Sequence, residues 1–315
     1  MLLILTSSGD LTATYLSEKL RESGVAFVRL DTDTCVGQTS VSYALADGPA
    51  LRIGDERLRA DDIGVVWLRR PREIHVSIEG DAAEHAHVAN EWGEAIEGFL
   101  AHVPLERWMN HPTCNVRASH KLEQLTSAAA EGLRVPDTLV TQSRVELDAF
   151  WRRHHGRVIA KPLASGYLER PDGSVASIFT NPVLETGLDA APLESCPTLF
   201  QEEIAKDVDV RVTVVDDQLT AVALRRRVEG RQILDIRRDN MNDVVYEMCD
   251  LPVDVDAALR RLVASYGLRF AAVDFAVTLA GEWIFFEINP NGQWAWTDLA
   301  GATSIWKSFA HAFAA

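Results

Sequence analysis

The chain has 315 residues, 47% of them hydrophobic and 24% charged, and a formal net charge of −15 from 46 acidic and 31 basic side chains. That length suggests about two domain-sized units, and the composition is that of a globular protein with a real core. The acidity argues against a general nucleic-acid binder, which needs a basic footprint, and four scattered cysteines (Cys35, Cys114, Cys196, Cys249) with no C-x-x-C pair read as reduced thiols rather than a zinc site or disulfide framework.

"MLLILTS" reads as a short apolar strand without the basic flank of a signal peptide. "SGDLTATYLSEKLRESG" then reads as a turn and a helix closed by Gly24, and "VAFVRLD" as a second strand. A strand–helix–strand opening implies a parallel sheet with helices packed on it. "VSYALAD" and "PALRIGD" follow as a hairpin, and "IGVVWLRRP" as another buried strand. A long helix is expected over 81–102, with Trp92, Ile96, Phe99 and Leu100 on one face. Pro112 and small polar residues break the pattern in "NHPTCNVRASH" (110–120). A second unit opens with a helix over 118–132 ended by Gly132, then the strand "VPDTLVT", a helix from Ser143 to His154, and the strands "RVIAKPL" and "PTLFQEEI". From Val208 the chain alternates like an antiparallel sheet, through "DVRVTVVDDQLTAVALRRR" and later "FAAVDFAVTLAGEWIFFEIN". No run approaches the roughly 18 apolar residues of a membrane span. The reading is a cytoplasmic protein with no membrane or nucleic-acid partner.

The last hairpin carries the chemistry. A turn at Ala280-Gly281, with Leu279 paired to Glu282, sets Asp274 opposite Glu287, and Asn289 shares their face because alternate residues do. Two facing carboxylates repel and should destabilise a sheet. A divalent cation reverses that sign, and two carboxylates with one amide suit Mg²⁺. Ordinary surface acids on an exposed face are the plain alternative. Metal-bound phosphates need cations as well: Lys161 ends the strand "VIAK" before a short loop whose amides can cradle phosphate, and Lys121 lies in the first turn of its helix.

Taken together, "KP" after a strand, "QEEI…DVRVTVV", "VDFAV" and "FFEINPNGQW" resemble the ATP-grasp ligases. They are most similar to the branch that matures ribosomal peptides, the microviridin-type macrocyclases that make graspetides. The resemblance covers roughly residues 110–300, and the preceding unit is similar to the smaller N-terminal domain of such enzymes. It implies a fold of the α/β and α+β class: an N-terminal parallel α/β pre-ATP-grasp domain (1–115), a central ATP-grasp lid domain (116–205) and a C-terminal ATP-grasp domain with the metal site (206–315).

Carried over by position, the resemblance implies that Lys121 and Lys161 contact ATP phosphates. Glu202, Glu203 and Ile204 would form the hinge that reads adenine largely through backbone groups, and Asp209 would hold the ribose. Asp274, Glu287 and Asn289 would bind two Mg²⁺. Arg211 and Arg225 match positions that stabilise the γ-phosphate or acyl-phosphate, with a solvated basic face as the alternative for Arg225–Arg227. In "DIRRDN" Arg238 is favoured because Asn240 follows it at the spacing of the glutamate ligases, with Arg237 as the other register. "LASGYLERPDG" departs from a phosphate-binding glycine loop in length and content.

The implied reaction activates Asp or Glu side-chain carboxylates of a precursor peptide as acyl-phosphates. These are then joined to Ser/Thr hydroxyls (ω-esters) or Lys amines (ω-amides). The implied partners are a precursor with a leader and an acidic, Thr-rich core, and a second copy of the chain in a homodimer. "RRPRE" (69–73) and "ALRRRVEGRQILDIRRDN" are the basic concentrations expected to line the peptide channel. The competing readings are a RimK-like ligase adding an amino acid or amine to an acid, and a degenerate nucleotide-binding module.

Overall fold

The computed structural model describes residues 1–164, 166–170, 172, 174–185, 193–226, 234–235 and 243–314. β1 (Leu2–Thr6) is buried at every position, as an apolar strand covered on both faces must be. It pairs in parallel with β2 (Phe27–Asp31) and, on its other side, with β6 (Val65–Leu68). α1 (Leu11–Glu22) makes the crossover between β1 and β2. Asp10 caps it, Oδ1 accepting from the Ala13 amide at 2.9 Å, and Gly24 follows its end at φ 76°. The expected hairpin of β3 (Thr39–Ala44) and β4 (Gly48–Ile53) forms, but β5 (Glu56–Arg59) joins it in a separate antiparallel sheet. α2 (Ala82–Leu100) opens on a capping box of Asp81 and Glu84 and buries Ile96, Phe99 and Leu100, with Trp92 half-buried on the same core.

The helix expected over 118–132 is present but starts three residues later, and the segment 110–120, read as a break, carries a short helix of its own. α3 (Pro112–Ala118) stops where the Ser119 hydroxyl donates back to the Asn115 carbonyl at 2.7 Å, and α4 (Lys121–Ala130) starts afresh. Lys121, expected in the first turn of its helix, is the first residue of α4. Gln124 on α4 is buried and acts as an extra strand partner. Its Oε1 accepts from the Ile288 amide at 3.1 Å and its Nε2 donates to the Ile288 carbonyl at 2.9 Å. α4 is thereby clamped to the last strand of the C-terminal sheet, and Lys121 is carried to that sheet's acidic face.

A four-stranded antiparallel sheet follows, in the order β11 (Asn181–Pro182), β8 (Val158–Lys161), β12 (Thr198–Glu202), β7 (Thr138–Thr141). α5 (Arg144–Arg153) covers it through Leu147 and Phe150, which pack on Val158, Leu193 and Phe200. In place of a phosphate loop, "YLE" and "VAS" form a β-hairpin, β9 (Tyr167–Glu169) with β10 (Val175–Ser177).

The C-terminal sheet is antiparallel, ordered β15 (Val244–Cys249), β14 (Gln218–Arg226), β13 (Lys206–Val215), β16 (Phe270–Thr278), β17 (Trp283–Asn289). Its valines 208, 210, 212 and 214, with Ala221, Ala223, Val273, Phe275, Phe285 and Ile288, bury one face against α6 (Val253–Ser265) and α4. Alternation sends Asp209, Arg211, Asp274, Glu287 and Asn289 to the other face. After β17 the chain turns and enters α7 (Ala295–Leu299) and α8 (Ile305–Ala314), whose Ile305 and Phe309, with Trp294, share a core with Leu2, Ile4, Leu16 and Trp67. The segment 290–294 is thus wedged between the acidic face and the N-terminal sheet.

Candidate active site

Asp274 lies directly opposite Glu287, and Ala272 opposite Asn289. The turn, however, is not the one expected. Val277 pairs with Trp283, the Thr278 amide donates to the Glu282 carbonyl at 2.9 Å, and Gly281 adopts φ 79°. That closure is one residue out of step with pairing Leu279 to Glu282. A bulge at Phe286, between the Phe275–Phe285 and Asp274–Glu287 pairs, restores the register. It also puts two consecutive side chains toward the site. Phe285 is fully buried in the core, whereas Phe286 lies under Lys161, whose Nζ is 4.4 Å from the ring centroid, and Glu287 faces Asp274.

The three expected metal ligands converge. Asn289 Nδ2 donates to Glu287 Oε1 at 3.1 Å and reaches Asp274 Oδ2 at 3.5 Å. Arg211, opposite Asp274 on β13, binds it in bidentate fashion, Nε to Oδ1 at 2.6 Å and Nη2 to Oδ2 at 3.1 Å, and donates from Nη1 to the Gln293 carbonyl at 3.0 Å. Lys121 Nζ donates to the Pro162 carbonyl at 2.9 Å and is 3.7 Å from Glu287 Oε2. Lys206, a residue the sequence reading missed, donates to both oxygens of Asp209 at 2.7 and 2.8 Å.

Electrostatics separate the two acids. Burial pushes the Asp274 carboxyl up to about 6, with Glu287 and Asp209 adding to the rise against the pull of Arg211. Burial opposes ionisation of Glu287 too, but Lys121, the Asn289 hydrogen bond, Lys161 and Arg211 outweigh it and hold that carboxyl below its usual range. Burial brings Lys161 down to about 8, with Lys206 and Lys121 adding to the fall. One acid thus holds its proton more tightly than normal beside another that stays ionised.

A hard cation fits this donor set. Among the described residues there is no cluster of three or more His, Cys, Asp or Glu, so an ion here would rely on two carboxylates and the Asn289 amide. Turning that amide over presents Oδ1 in place of Nδ2, since the two orientations are alternative assignments of one group. Few protein oxygens, with positions left for water and phosphate, is how Mg²⁺ is usually bound.

The turn after β17 is held from three sides. A Cβ on Gly292 would lie 2.3 Å from Ala272 Cβ, so only glycine lets the turn approach β16. Asn110 Nδ2 donates to the Phe270 carbonyl at 2.8 Å and the Pro290 carbonyl at 3.0 Å. Arg69, expected in a peptide channel, is instead completely buried and donates to the Gly292 carbonyl at 3.0 Å and to Gln293 Oε1 at 2.7 Å. Arg70 remains exposed and donates to the Asn291 carbonyl at 3.0 Å.

Comparison with known proteins agrees with this fold. Residues 1–116 match the family model of the MvdD pre-ATP-grasp domain. The whole chain superposes on a Chryseobacterium gregarium RiPP-associated ATP-grasp ligase in complex with ADP and a leader and core peptide. Identity is 27% and TM-score 0.86, covering 99% of this chain and 96% of that one. It superposes also on macrocyclase MdnC of Microcystis aeruginosa MRC, bound with precursor peptide MdnA, at 25% identity and TM-score 0.83, covering 100% and 99%. Macrocyclase MdnB from the same organism gives 27% and 0.75, covering 98% and 97%. The chain has the fold of these ATP-grasp enzymes. No curated protein sequence matches it.

The remaining expected residues are placed less uniformly. The amides of Glu202 and Glu203 donate to the carbonyls of Asp137 and Arg157 at 3.0 and 2.9 Å, so neither is available to read a base. Asp209 is at the acidic face, but its carboxylate is closed by Lys206. Arg225 does not join the cluster. β14 sets it with Ala223 on the opposite face, exposed, 3.2 Å from Asp207 and 3.5 Å from Glu247. Arg238 and its neighbour Arg237, with most of the second basic stretch, lie outside the described residues. A cavity of about 500 Å³ lined by Leu68, Ile74, Ile96 and Trp108 lies in the N-terminal unit; it takes Pro71 and Arg72 from the stretch expected to line a peptide channel and none of the expected nucleotide or metal residues. No helix among the described residues is long and apolar enough to cross a membrane.

Proposed function

We propose that this protein is an ATP-dependent macrocyclase of a ribosomally made precursor peptide, built as a pre-ATP-grasp unit (1–115), a lid (116–205) and a metal-binding unit (206–315). The observation that carries the reading is the convergence of Asp274, Glu287 and Asn289 within reach of Lys121, Lys161 and Arg211. Asp274, Glu287 and Asn289 would hold Mg²⁺, as two ions. Lys121 and Lys161 would bind the phosphates of ATP, Asp209 the ribose in exchange for its Lys206 contact, and backbone groups of the Glu202–Ile204 segment other than the Glu202 and Glu203 amides the base. Bound nucleotide and metal supply a transferable γ-phosphoryl group with its charge neutralised.

A peptide carboxylate is a poor acyl donor because its leaving group is oxide. Phosphorylation gives an acyl-phosphate and ADP. A Ser or Thr hydroxyl, or a Lys amine, of the same peptide then attacks the acyl carbon, the carbon–oxygen bond to phosphate breaks, and inorganic phosphate leaves. The product is an ω-ester or ω-amide ring with net loss of one water. Arg211, aimed by Asp274 and the Gln293 carbonyl, is placed to stabilise charge on the acyl-phosphate. Lys161 and Pro162, on the lid sheet and just after it, contact Phe286 and Lys121, so lid position and phosphate binding are coupled.

Incubation with ATP, Mg²⁺ and a Thr- and Glu-rich peptide should release ADP and remove one water per ring, as read by mass spectrometry. Mass gain by an added amino acid in place of water loss would favour the RimK-like reaction and overturn this one. Arg211→Ala should lower kcat by about a hundredfold or more, whereas Arg225→Ala, losing only exposed ion pairs, should cost less than about threefold. Equal losses would restore Arg225 to the site. Because the Lys161 ammonium is lost as pH rises through about 8, ADP affinity measured by calorimetry should fall between pH 7 and pH 9. Lys161→Met should abolish that dependence; an unchanged profile in the variant would remove Lys161 from the phosphate site.

A further inference from the structure

Among the described residues Arg69 is the only fully buried arginine or lysine, and the mechanism above makes no use of it. It stands at the end of β6 in the N-terminal unit. Its Nε faces Asp10 Oδ2 at 3.4 Å, in an ion pair with both side chains nearly inaccessible. Its Nη1 donates to the Gly292 carbonyl at 3.0 Å and reaches that of Asn291 at 3.3 Å, and its Nη2 donates to Gln293 Oε1 at 2.7 Å. The Thr12 hydroxyl bonds the same Gln293 oxygen. The Gln293 carbonyl in turn accepts from Arg211 Nη1 at 3.0 Å and from Trp296 Nε1 at 3.2 Å. An unbroken line of polar contacts therefore runs from Asp10 through Arg69 and the 291–293 turn to Arg211 and Asp274.

Burying a guanidinium is costly unless its donors are met; here Nη1 and Nη2 meet three backbone or amide oxygens, while Nε faces Asp10 as an ion pair without a hydrogen bond. The planar fork is what reaches separate acceptors at once; a lysine ammonium lacks that geometry. A hydrophobic residue would fill the space more cheaply, so a polar strut at this place needs a polar purpose. Apart from the Trp296 indole, the group that depends on the turn it holds is Arg211.

We propose that Arg69 is a positioning residue for the transfer chemistry: anchored on Asp10, it fixes the 291–293 turn so that the Gln293 carbonyl holds Arg211 in register with Asp274. The N-terminal unit thereby sets the geometry of a site to which it contributes no atom. The kinetic consequence rests on the proposed function; the geometric one does not.

Two readouts separate the cases. In the first, Arg69→Lys should lower kcat for peptide-dependent ADP release by about tenfold to a hundredfold with KM for ATP within about twofold, as expected of a misplaced catalytic group. Combined with Arg211→Lys it should cost no more than about twofold beyond Arg211→Lys alone, because both act through one contact. In the second, the Arg211 Nε–H, bonded to Asp274, should exchange with solvent about tenfold faster in Arg69→Lys than in the wild type, by NMR on the metal-free protein. Asp10→Asn, which preserves the cap of α1 while weakening the anchor, should move both readouts the same way and carries the test if Arg69→Lys does not fold. Multiplicative kinetic losses, or Arg211 exchange unchanged in a folded variant, would overturn the proposal. A wild type that releases no ADP with any peptide would sink the functional reading instead, and the exchange experiment would still decide this one.

Discussion

Asp274→Asn is expected to lower turnover by about a thousandfold while leaving the metal-free protein at least as stable as the wild type at pH 7. The loss follows from removing one of two carboxylates that would hold Mg²⁺. The retained stability follows from the balance at Asp274. Arg211 binds its carboxylate at 2.6 Å, which favours the charge, yet burial and Glu287 prevail and the carboxyl lies at about 6 against an ordinary 3.8. Because the folded value is raised, this group's contribution to stability is complete below pH 3.8 and is lost as pH rises through about 6. At neutral pH the ionised side chain is therefore a burden that a neutral amide of the same shape relieves, with Asn Oδ1 still able to accept from Arg211. Thermal unfolding without metal should show the wild type gaining stability from pH 7 to pH 5 relative to the variant. Saturating Mg²⁺ and ADP at pH 7 should raise the wild-type Tm and leave the variant's nearly unmoved. A variant that is clearly destabilised at pH 7, or that keeps the full Mg²⁺ response, contradicts the charge balance or the ligand assignment respectively.

Gly292→Ala should cost about 3 kcal/mol of stability and most of the activity, although the change adds a single methyl group. The new Cβ would lie 2.3 Å from Ala272 Cβ, 3.2 Å from the Asn289 carbonyl oxygen and 3.3 Å from Asn289 Cβ. None of these is the end of a flexible side chain, and Ala272 is completely buried in a central position of β16. The turn must move outward, taking with it Asn289, the Gln293 carbonyl and hence Arg211. Ala272→Gly removes the first obstacle at about 1 kcal/mol for glycine in a strand, so the double variant should recover part of the lost Tm and kcat. Near wild-type stability in Gly292→Ala alone would mean that the turn is not pressed against β16.

Much of this architecture was legible in the chain because local patterns and tertiary packing agree. LLILT, the 81–102 periodicity and the valines of "DVRVTVV" each bury the side that their spacing indicates. The acid pair was legible for a less secure reason. The assumed turn was off by one residue, and the Phe286 bulge shifted the register back, so that Asp274 faces Glu287 through two compensating departures from a regular hairpin. Nothing in "WIFFEIN" announces a bulge, since Phe286 suits either face. The placement of Arg69 and Arg225 was not legible, for the opposite reason: charge alone does not reveal burial or sheet face. "WLRRP" reads as a basic surface until three acceptors 222–224 residues away enclose its first arginine. Arg225 belongs to an alternating strand in which a shift of one residue moves a side chain across the sheet. Lys206 escaped because its partner Asp209 is meaningful only once the β13 bulge between Lys206 and Val208 has folded the two together.

In the proposed function Asp274, Glu287 and Asn289 together grip the divalent ion that accompanies the nucleotide. Anomalous diffraction from crystals grown with ADP and Mn²⁺ in place of Mg²⁺ tests it most directly. An anomalous peak bonded to oxygens of all three side chains is expected, with the Asn289 amide turned to present Oδ1. A metal peak bound to nucleotide but distant from Asp274 and Glu287, with the Arg211–Asp274 pair intact, would contradict it.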